Sequence, residues 1–420
     1  MQVADVYFVS RLGQVQLESI SFTFPISMTV FNLVMGLSIG ASSVIARLIG
    51  AQQNETVRHF TLHAIIMAVT IGAGLAIVGE LCMSAIFHAM GATPDHLVHI
   101  MPFMRVQLWG YMFITVPLVI NAALRASGDT LTPSLIMTSA AFLNIPLSYC
   151  LVYGAGPIPA FGMTGAAIAN VTANGTTAIF SLYILAVKRR LVDLRVLDLH
   201  HFPASARRLL GIAVPVGLMN LITPLTATII TALLAHDGPF AVAAYGIIGR
   251  VEAVTAIPLM AVSVGMSPLI GQNFGAHRLD RVTETLWYAV VFCIVCAGAL
   301  GAVLMVSGAF VAGLFTREPA TVHMTATYFL LMGLVPMVGN LPIGWASAWN
   351  ALGQPKNAVI LSVGRFGMGS MLSALIGHAM GGWFGLFIGL VVGGLTTGLA
   401  LHLWSYWTFK AYLKARHPVV

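Results

Sequence analysis

The sequence predicts an all-α integral membrane protein of twelve transmembrane helices in two six-helix lobes, with the first helix truncated at the N-terminus. Three observations carry that expectation. Of 420 residues, 58% are hydrophobic and only 8% charged, and the mean hydropathy is +0.91, against roughly 25% charged residues in an ordinary soluble domain. Apolar runs such as Phe24 to Ile45, Ala64 to Ile86 and Val290 to Leu314 recur along the chain, each long enough to cross about 30 Å of hydrocarbon. An alternating barrel pattern is absent, so the spans are read as helices. Finally, the two halves repeat each other.

Apolar runs read as helices, and Gly, Pro and charged clusters read as loops, give six segments near 1–12, 20–46, 60–88, 100–125, 133–154 and 163–187. Six more follow near 208–235, 241–271, 285–314, 323–350, 358–379 and 384–410. Between the groups lies the longest polar stretch, Lys188 to Arg208, which also carries Asp193 and Asp198. The predicted organisation is an N-terminal lobe over 1–190, a cytoplasmic linker over 191–206 and a C-terminal lobe over 207–420.

Gly13 matches Gly238, Gly40 matches Gly265, Gly50-Ala51 matches Gly275-Ala276, Pro117 matches Pro342 and Gly128 matches Gly353, each pair 225 positions apart. After a short deletion, Gly162-x-x-Gly165 matches Gly382-x-x-Gly385. Six spans per half, an even number, give both halves the same orientation, as in a parallel-repeat transporter whose two lobes flank a cleft. Rocking of such lobes opens the cleft to alternate sides. The offset places the partner of Arg208 about 17 residues ahead of Met1. Only the second half of the first helix is therefore expected, as for a chain shortened at its N-terminus or begun at a late start codon.

The formal charge of +7 does not indicate nucleic acid, because the basic residues sit in short loops between apolar spans. One side collects Arg47, Arg58, Arg125, the cluster at 188–190, Arg195, Arg207, Arg208, Arg278, Arg281, Lys356, Lys410, Lys414 and Arg416, and the other keeps little more than Arg11 and Arg317. By the positive-inside rule the first side and the C-terminus of this multi-pass chain are cytoplasmic. Trp404, Tyr406, Trp407 and Tyr412 read as the interfacial anchor of the last helix.

Several features are read as structural. Cys82, Cys150, Cys293 and Cys296 all fall in apolar spans, so neither a disulfide framework nor a zinc site is expected, and Cys293-x-x-Cys296 reads as helix packing. Gly381, Gly385, Gly389 and Gly393 form a smooth stripe for close helix contact. Glu18, Glu80, His88 and Arg105 are expected to snorkel at span ends. Neither a phosphate-binding Gly-Lys loop nor a Gly-x-Ser-x-Gly elbow occurs, His200-His201 is too isolated to argue for metal, and no cofactor is expected.

Two groups of membrane-depth charge stand out. Asp5 either faces a cavity on an ion path, since an intramembrane carboxylate costs at least a few kcal/mol, or pairs structurally with Arg11 near the interface. Arg250 and Glu252 of the eighth segment are expected to pair with each other or with Arg365 of the eleventh, ahead of contacting substrate in a cleft.

Several segments then resemble the multidrug and toxic compound extrusion (MATE) family. Val3 to Gly13 is similar to the end of its first helix, and Gly40-Ala41-Ser42-Ser43 with Ala46-Arg47-Leu48-Ile49-Gly50-Ala51 to the end of its second. Leu124-Arg125-Ala126-Ser127-Gly128-Asp129-Thr130 with Thr132-Pro133 resembles its fourth-to-fifth loop, and Gly249 to Glu252 and Gly271 to Ala276 resemble second-half segments. The likeness covers essentially the whole chain and points to the prokaryotic branch with an ion site in the N-terminal lobe.

The resemblance implies that Asp5 works with residues one turn apart on the fifth helix and a polar residue on the sixth. Asn144 stands at the family's Asn position, Ser148 where the family has Asp, and Asn170 on the sixth helix. One carboxylate among neutral oxygens can carry a proton, the favoured ion, or ligate Na⁺ through Asp5, Asn144 and Ser148. Thr223 and Asn340 replace the acidic residues that another branch places in the seventh and tenth helices, so a second-lobe ion site of that kind is not expected.

The implied activity is that of a secondary antiporter, not an enzyme, exporting amphiphilic or cationic drugs and toxic compounds in exchange for H⁺ or Na⁺ by alternating access. The expected partners are the lipid bilayer and such small substrates, with the chain a monomer and no nucleic acid bound. A lipid-linked oligosaccharide or lipid-II flippase is the alternative, disfavoured because only Arg105, Arg250 and Arg365 put basic charge within spans.

Overall fold

A computed structural model describes residues 2–157, 159–192 and 199–415. The linker residues Asp193, Arg195 and Asp198, and the terminal Arg416, lie outside them. The described chain is helical almost throughout and divides into two compact units, Met1–Gly217 and Leu218–Val420.

In the first unit, α1 (Gln2–Ser10), α2 (Gln14–Gly50), α3 (Asn54–Ala89), α4 (Pro94–Ala126), α5 (Leu131–Tyr153) and α6 (Met163–Lys188) follow one another through short turns. Thr93 and His96 close a capping box ahead of α4, whose first position is Pro94, where a missing N–H costs nothing. The last five residues of α6, Ile184–Lys188, are wound as a π-helix. One core gathers around Ile45, Phe60, Ile120, Leu124 and Leu185, and a second around Val34, Phe87, Ile100, Met104 and Leu108.

The start of α7 (Phe202–Ala235) packs into the first of these cores through Leu209, Ile212, Ala213 and Val216. Glycines of α2 make the approach possible, for a Cβ at Gly36 would lie 2.3 Å from the Ala213 carbonyl oxygen. His63 shares a 2.9 Å hydrogen bond with Ser205, and Arg58 donates to the Arg190 carbonyl at 3.0 Å. These contacts are why the division by compactness falls after Gly217, inside α7.

In the second unit the rest of α7 is followed by α8 (Pro239–Gly275) and α9 (Leu279–Gly313). Next comes α10, a broken helix of Pro319–Met332 and Val335–Ala351 bent by 57°. The sequence reads 323–350 as one span; the structure breaks it because Pro336 has no N–H to continue the ladder after Gly333. The final stretch, Pro355–Lys414, carries a π-helical segment at Gly364–Leu372 and leaves helical geometry at Gly381 and Gly382. It therefore forms α11 (355–380) and α12 (383–414).

Gly382 (φ 56°, ψ −143°) has nearly the same conformation as Gly162 (φ 56°, ψ −137°), its repeat partner ahead of α6. The repeat persists at Gly128 and Gly353 (φ 90° and 74°) and, without glycine, at Gln52 and His277 (φ 57° and 58°). Among the described residues nine helices are long and apolar enough to cross a membrane, and the bent α10 makes a tenth. With α1, and with the last stretch counted as two, twelve segments follow in the expected order.

Two structural readings change in detail. Gly385 and Gly389 press on the α11 backbone, where a Cβ would lie 2.2 Å from the Gly377 oxygen and 2.1 Å from that of Ser373, whereas Gly381 belongs to the break and touches nothing within 4 Å. Glu80 and Arg105 form a 2.7 Å ion pair, and Glu18 pairs with His96 at 3.0 Å, so these groups are fixed by partners and do not simply snorkel. All four cysteines are free.

Candidate functional site

Asp5 lies midway along α1, a helix of nine residues seated mainly on α2 and α5. The seat is aromatic. Phe8 meets Tyr149 and Tyr153 edge-on with centroids 6.1 Å apart, and the Tyr153 hydroxyl donates to the Phe8 carbonyl at 2.7 Å. This clamp aims Asp5 inward, where only 6% of it is exposed.

The Ser148 hydroxyl donates to Asp5 Oδ1 at 2.8 Å, and both groups are buried. Asn144, one turn earlier on α5 and fully buried, lies near the same carboxylate, yet neither its amide nitrogen nor its oxygen has a hydrogen-bond partner. Asn170 of α6 approaches from the other side, its Oδ1 taking a 2.7 Å hydrogen bond from Asn174 Nδ2. The structure thus brings together Asp5, Asn144, Ser148 and Asn170.

The alternative pairing of Asp5 with Arg11 does not occur. Arg11 is exposed, with its guanidinium 5.3 Å from the Tyr7 ring centroid and donating to that hydroxyl at 3.2 Å. It is thus held on the outer end of its own helix.

Chemically the site is one carboxylate with one hydroxyl donor and neutral amides around it. A carboxylate at membrane depth is costly and marks a candidate proton or ion path. Asn144 supplies a free carbonyl oxygen and a free N–H, which suits a water or small cation at least as well as a protein partner. Asp5, Asn144 and Ser148 supply oxygens of the hard type that Na⁺ also accepts.

In the second unit the expected ion pairing of Glu252 with Arg250 or Arg365 is absent. Glu252 accepts the hydroxyl of Tyr328 from α10. Arg365 donates through Nε to the Gly339 carbonyl at 3.0 Å and through Nη2 to Asn340 Oδ1 at 2.7 Å, and stacks on Phe366 at 4.5 Å. A second interruption of α10 at Asn340 explains this choice, for the Ile343 N–H turns to the Asn340 carbonyl at 3.0 Å and leaves the Gly339 carbonyl to the guanidinium. Glu252 and Arg365 are thus each held by other partners, and Arg250 is exposed. Tyr328 and Asn340 were not identifiable as partners, since each lies far in sequence from the residue it serves and neither sits at a recurring spacing.

The MatE family profile matches residues 1–150 and 215–381. The chain is 32% identical to the FAD transporter of Shewanella oneidensis over 95% of its own length and 88% of that protein. It is 25% identical to the multidrug export protein MepA of Staphylococcus aureus over 86% and 79%. Among solved structures, it superposes on the Vibrio cholerae MATE transporter VcmN in its bent form with a TM-score of 0.90, at 26% identity, covering 98% of this chain and 92% of that one. The same TM-score and coverage hold at 25% identity for an outward-facing multidrug resistance MATE family transporter. This chain therefore belongs to the MatE family of multi-pass membrane transporters.

Proposed function

We propose that the protein is a secondary antiporter that exports small amphiphilic organic compounds in exchange for protons, with Asp5 as the coupling group. The observation that carries this reading is the environment of Asp5: a carboxylate in an apolar helix bundle, held by one hydroxyl and flanked by an unpaired buried amide. Gain or loss of a proton at such a carboxylate biases the carrier's conformations by its differential affinity for them. The export proteins among its relatives support the direction of transport. On this reading the basic loops and the C-terminus lie in the cytoplasm, and in a bacterium the bilayer is the inner membrane.

The decisive experiment is dye efflux from proteoliposomes under an imposed pH gradient or an imposed Na⁺ gradient. Wild type is expected to respond to the pH gradient and Asp5→Asn to neither. A response to Na⁺ alone would replace the proton by Na⁺, with Asn144 and Ser148 as further ligands. Normal efflux by Asp5→Asn would refute the assignment.

A second cargo is worth testing, because the relative matched at 32% identity is an FAD transporter. Flavin adenine dinucleotide offered beside a cationic dye in the same vesicles distinguishes the two; preference for the dinucleotide would move the substrate class from cations to nucleotides.

A further inference from the structure

We propose that a polar seam down the middle of α6, from Asn170 to Ser181, relays protons between Asp5 and the basic end of the first unit. The proposal rests on the proton-coupled reading of Asp5 given above.

Asn170, Asn174, Thr177 and Ser181 fall at i, i+4, i+7 and i+11, which puts all four on one face of the helix. That face is the centre of the buried side, flanked by Ala166, Ala173 and Ala178, while Thr172 and Ile179 point the other way. Burial tightens along the seam. Asn170 and Asn174 are partly accessible, Thr177 is 5% exposed and Ser181 is sealed at 0%. From Asn170 to Ser181 the rise is about 16 Å, so the seam leads from the neighbourhood of Asp5 most of the way to Lys188.

Two orphaned polar atoms mark its inner end. The Ser181 hydroxyl has no hydrogen-bond partner, nor does Oδ1 of Asn121, which is 2% exposed on α4. The register of α4 on α6 is set by close contacts of Gly110 with Val171 and Phe113 with Gly175, which brings Asn121 level with Ser181. Asn121 also shares the face of Gly110, eleven residues earlier. At the same level on α2 lies buried Ser42, one turn beyond Ser38, whose hydroxyl donates to Leu118 O at 3.1 Å.

Packing alone does not explain these groups. A sealed serine without a partner costs free energy that alanine would not, and buried polar atoms of this kind are ordinarily satisfied by internal water. In the relay, the O–H bond of the protonated Asp5 carboxyl breaks, a neighbouring water takes the proton, and each hydroxyl or water accepts one proton and passes on another. Asp5 is left as the carboxylate, the last member gives its proton to bulk water at the basic end, and the seam is unchanged. The asparagine amides hold the waters in place, Ser181 supplies a hydroxyl without a partner, and the Thr177 hydroxyl, which donates to the Asn174 carbonyl at 2.9 Å, turns from it to take its place in the relay.

The test is pH-driven dye efflux by the full chain in proteoliposomes, with Thr177→Val and Ser181→Ala compared with wild type and Asp5→Asn. Efflux by both seam variants should slow by about tenfold, the effect of about 1.4 kcal/mol of added barrier, while equilibrium dye binding stays unchanged. A packing role predicts something else for Ser181→Ala, since removing an unsatisfied buried hydroxyl should leave thermal stability equal or higher with transport intact. Slower transport in an equally or more stable protein is therefore the expected signature. Wild-type rates in both variants, beside an inactive Asp5→Asn, would overturn the seam and leave the coupling site standing. Normal efflux by Asp5→Asn would instead sink the coupling reading, and the seam with it. Should Thr177→Val fail to fold, Ser181→Ala alone decides.

Discussion

Gly110 offers the sharpest test of how the first unit is held together. It lies on α4 where that helix crosses α6, and a Cβ placed there would sit 2.0 Å from Val171 Cγ2 and 3.2 Å from both Cβ and Cγ1 of the same residue. Gly110→Ala should therefore overpack the crossing at a cost of about 1–3 kcal/mol, partly offset by the roughly 0.5–1 kcal/mol that alanine gains over glycine in a helix. Val171→Ala removes both offending methyl carbons, leaving only the 3.2 Å contact, which a small helix shift relieves. On its own it loses apolar burial, but combined with Gly110→Ala the new methyl occupies the space vacated. The double mutant should then be more stable than the sum of the single changes by about 0.5–3 kcal/mol, the range found for residues in contact. Thermal unfolding of the purified protein, followed by tryptophan fluorescence, gives all four corners of the cycle. A higher melting temperature for Gly110→Ala alone, or strict additivity, would show that the crossing has slack and that the α4–α6 register is not fixed here.

Other consequences can be checked in the same preparation. Burial raises the Asp129 carboxyl, but the Thr132 hydroxyl and N–H at 2.6 and 3.0 Å, together with Arg189, outweigh it and hold the group below the usual carboxylate range. Its stabilising contribution is thus complete above the unfolded value of about 4 and fades as pH falls through the lower folded one; Asp129→Asn should flatten that acid limb in a melting-temperature series. Tyr328→Phe strips Glu252 of its hydroxyl donor and is expected to cost about 1–3 kcal/mol, with an unchanged melting temperature arguing that the contact is dispensable. Gly382→Ala would force a side chain into φ 56° and place its Cβ 3.0 Å from Asp237 Oδ1, for a loss of about 1–3 kcal/mol, whereas Gly381→Ala, with open space around it, should cost less.

Much of this architecture could be read from residues alone because its punctuation is chemical. Gly13, Gly128, Gly162 and their repeat partners are glycines at positive φ, so the turns announce themselves, and prolines such as Pro94 and Pro239 open helices at the first position. The bend of α10 stayed hidden, since Gly333 and Pro336 sit in an apolar run that scores as one span, and a proline within a membrane helix by itself permits either a kink or a straight path. The seating of α7 on α2 was hidden too, because small residues at 36, 40 and 213 have the composition of any membrane helix and reveal a contact only once two helices are placed together. At the site, Asp5 declared itself by cost, but its partners on α5 and α6 came from family likeness, not from periodicity. For Glu252 the sequence offered the wrong partner, since charge suggests charge, whereas the fold supplied a tyrosine 76 positions away.

The matched turns after α2 and α8 show what the internal repeat conserves in space. Gln52 and His277 share neither size nor chemistry, yet both sit at φ near 57°, a conformation that exacts a penalty from either side chain. The repeat keeps the path of the backbone at this corner while the side chain on it differs. The two halves thus coincide at their corners and differ in their interiors, where the first buries Asp5 against Ser148 and the second, at an unrelated position, holds Glu252 against Tyr328. What the repeat holds constant is the turn geometry, and what it varies is the side chains on the helix faces.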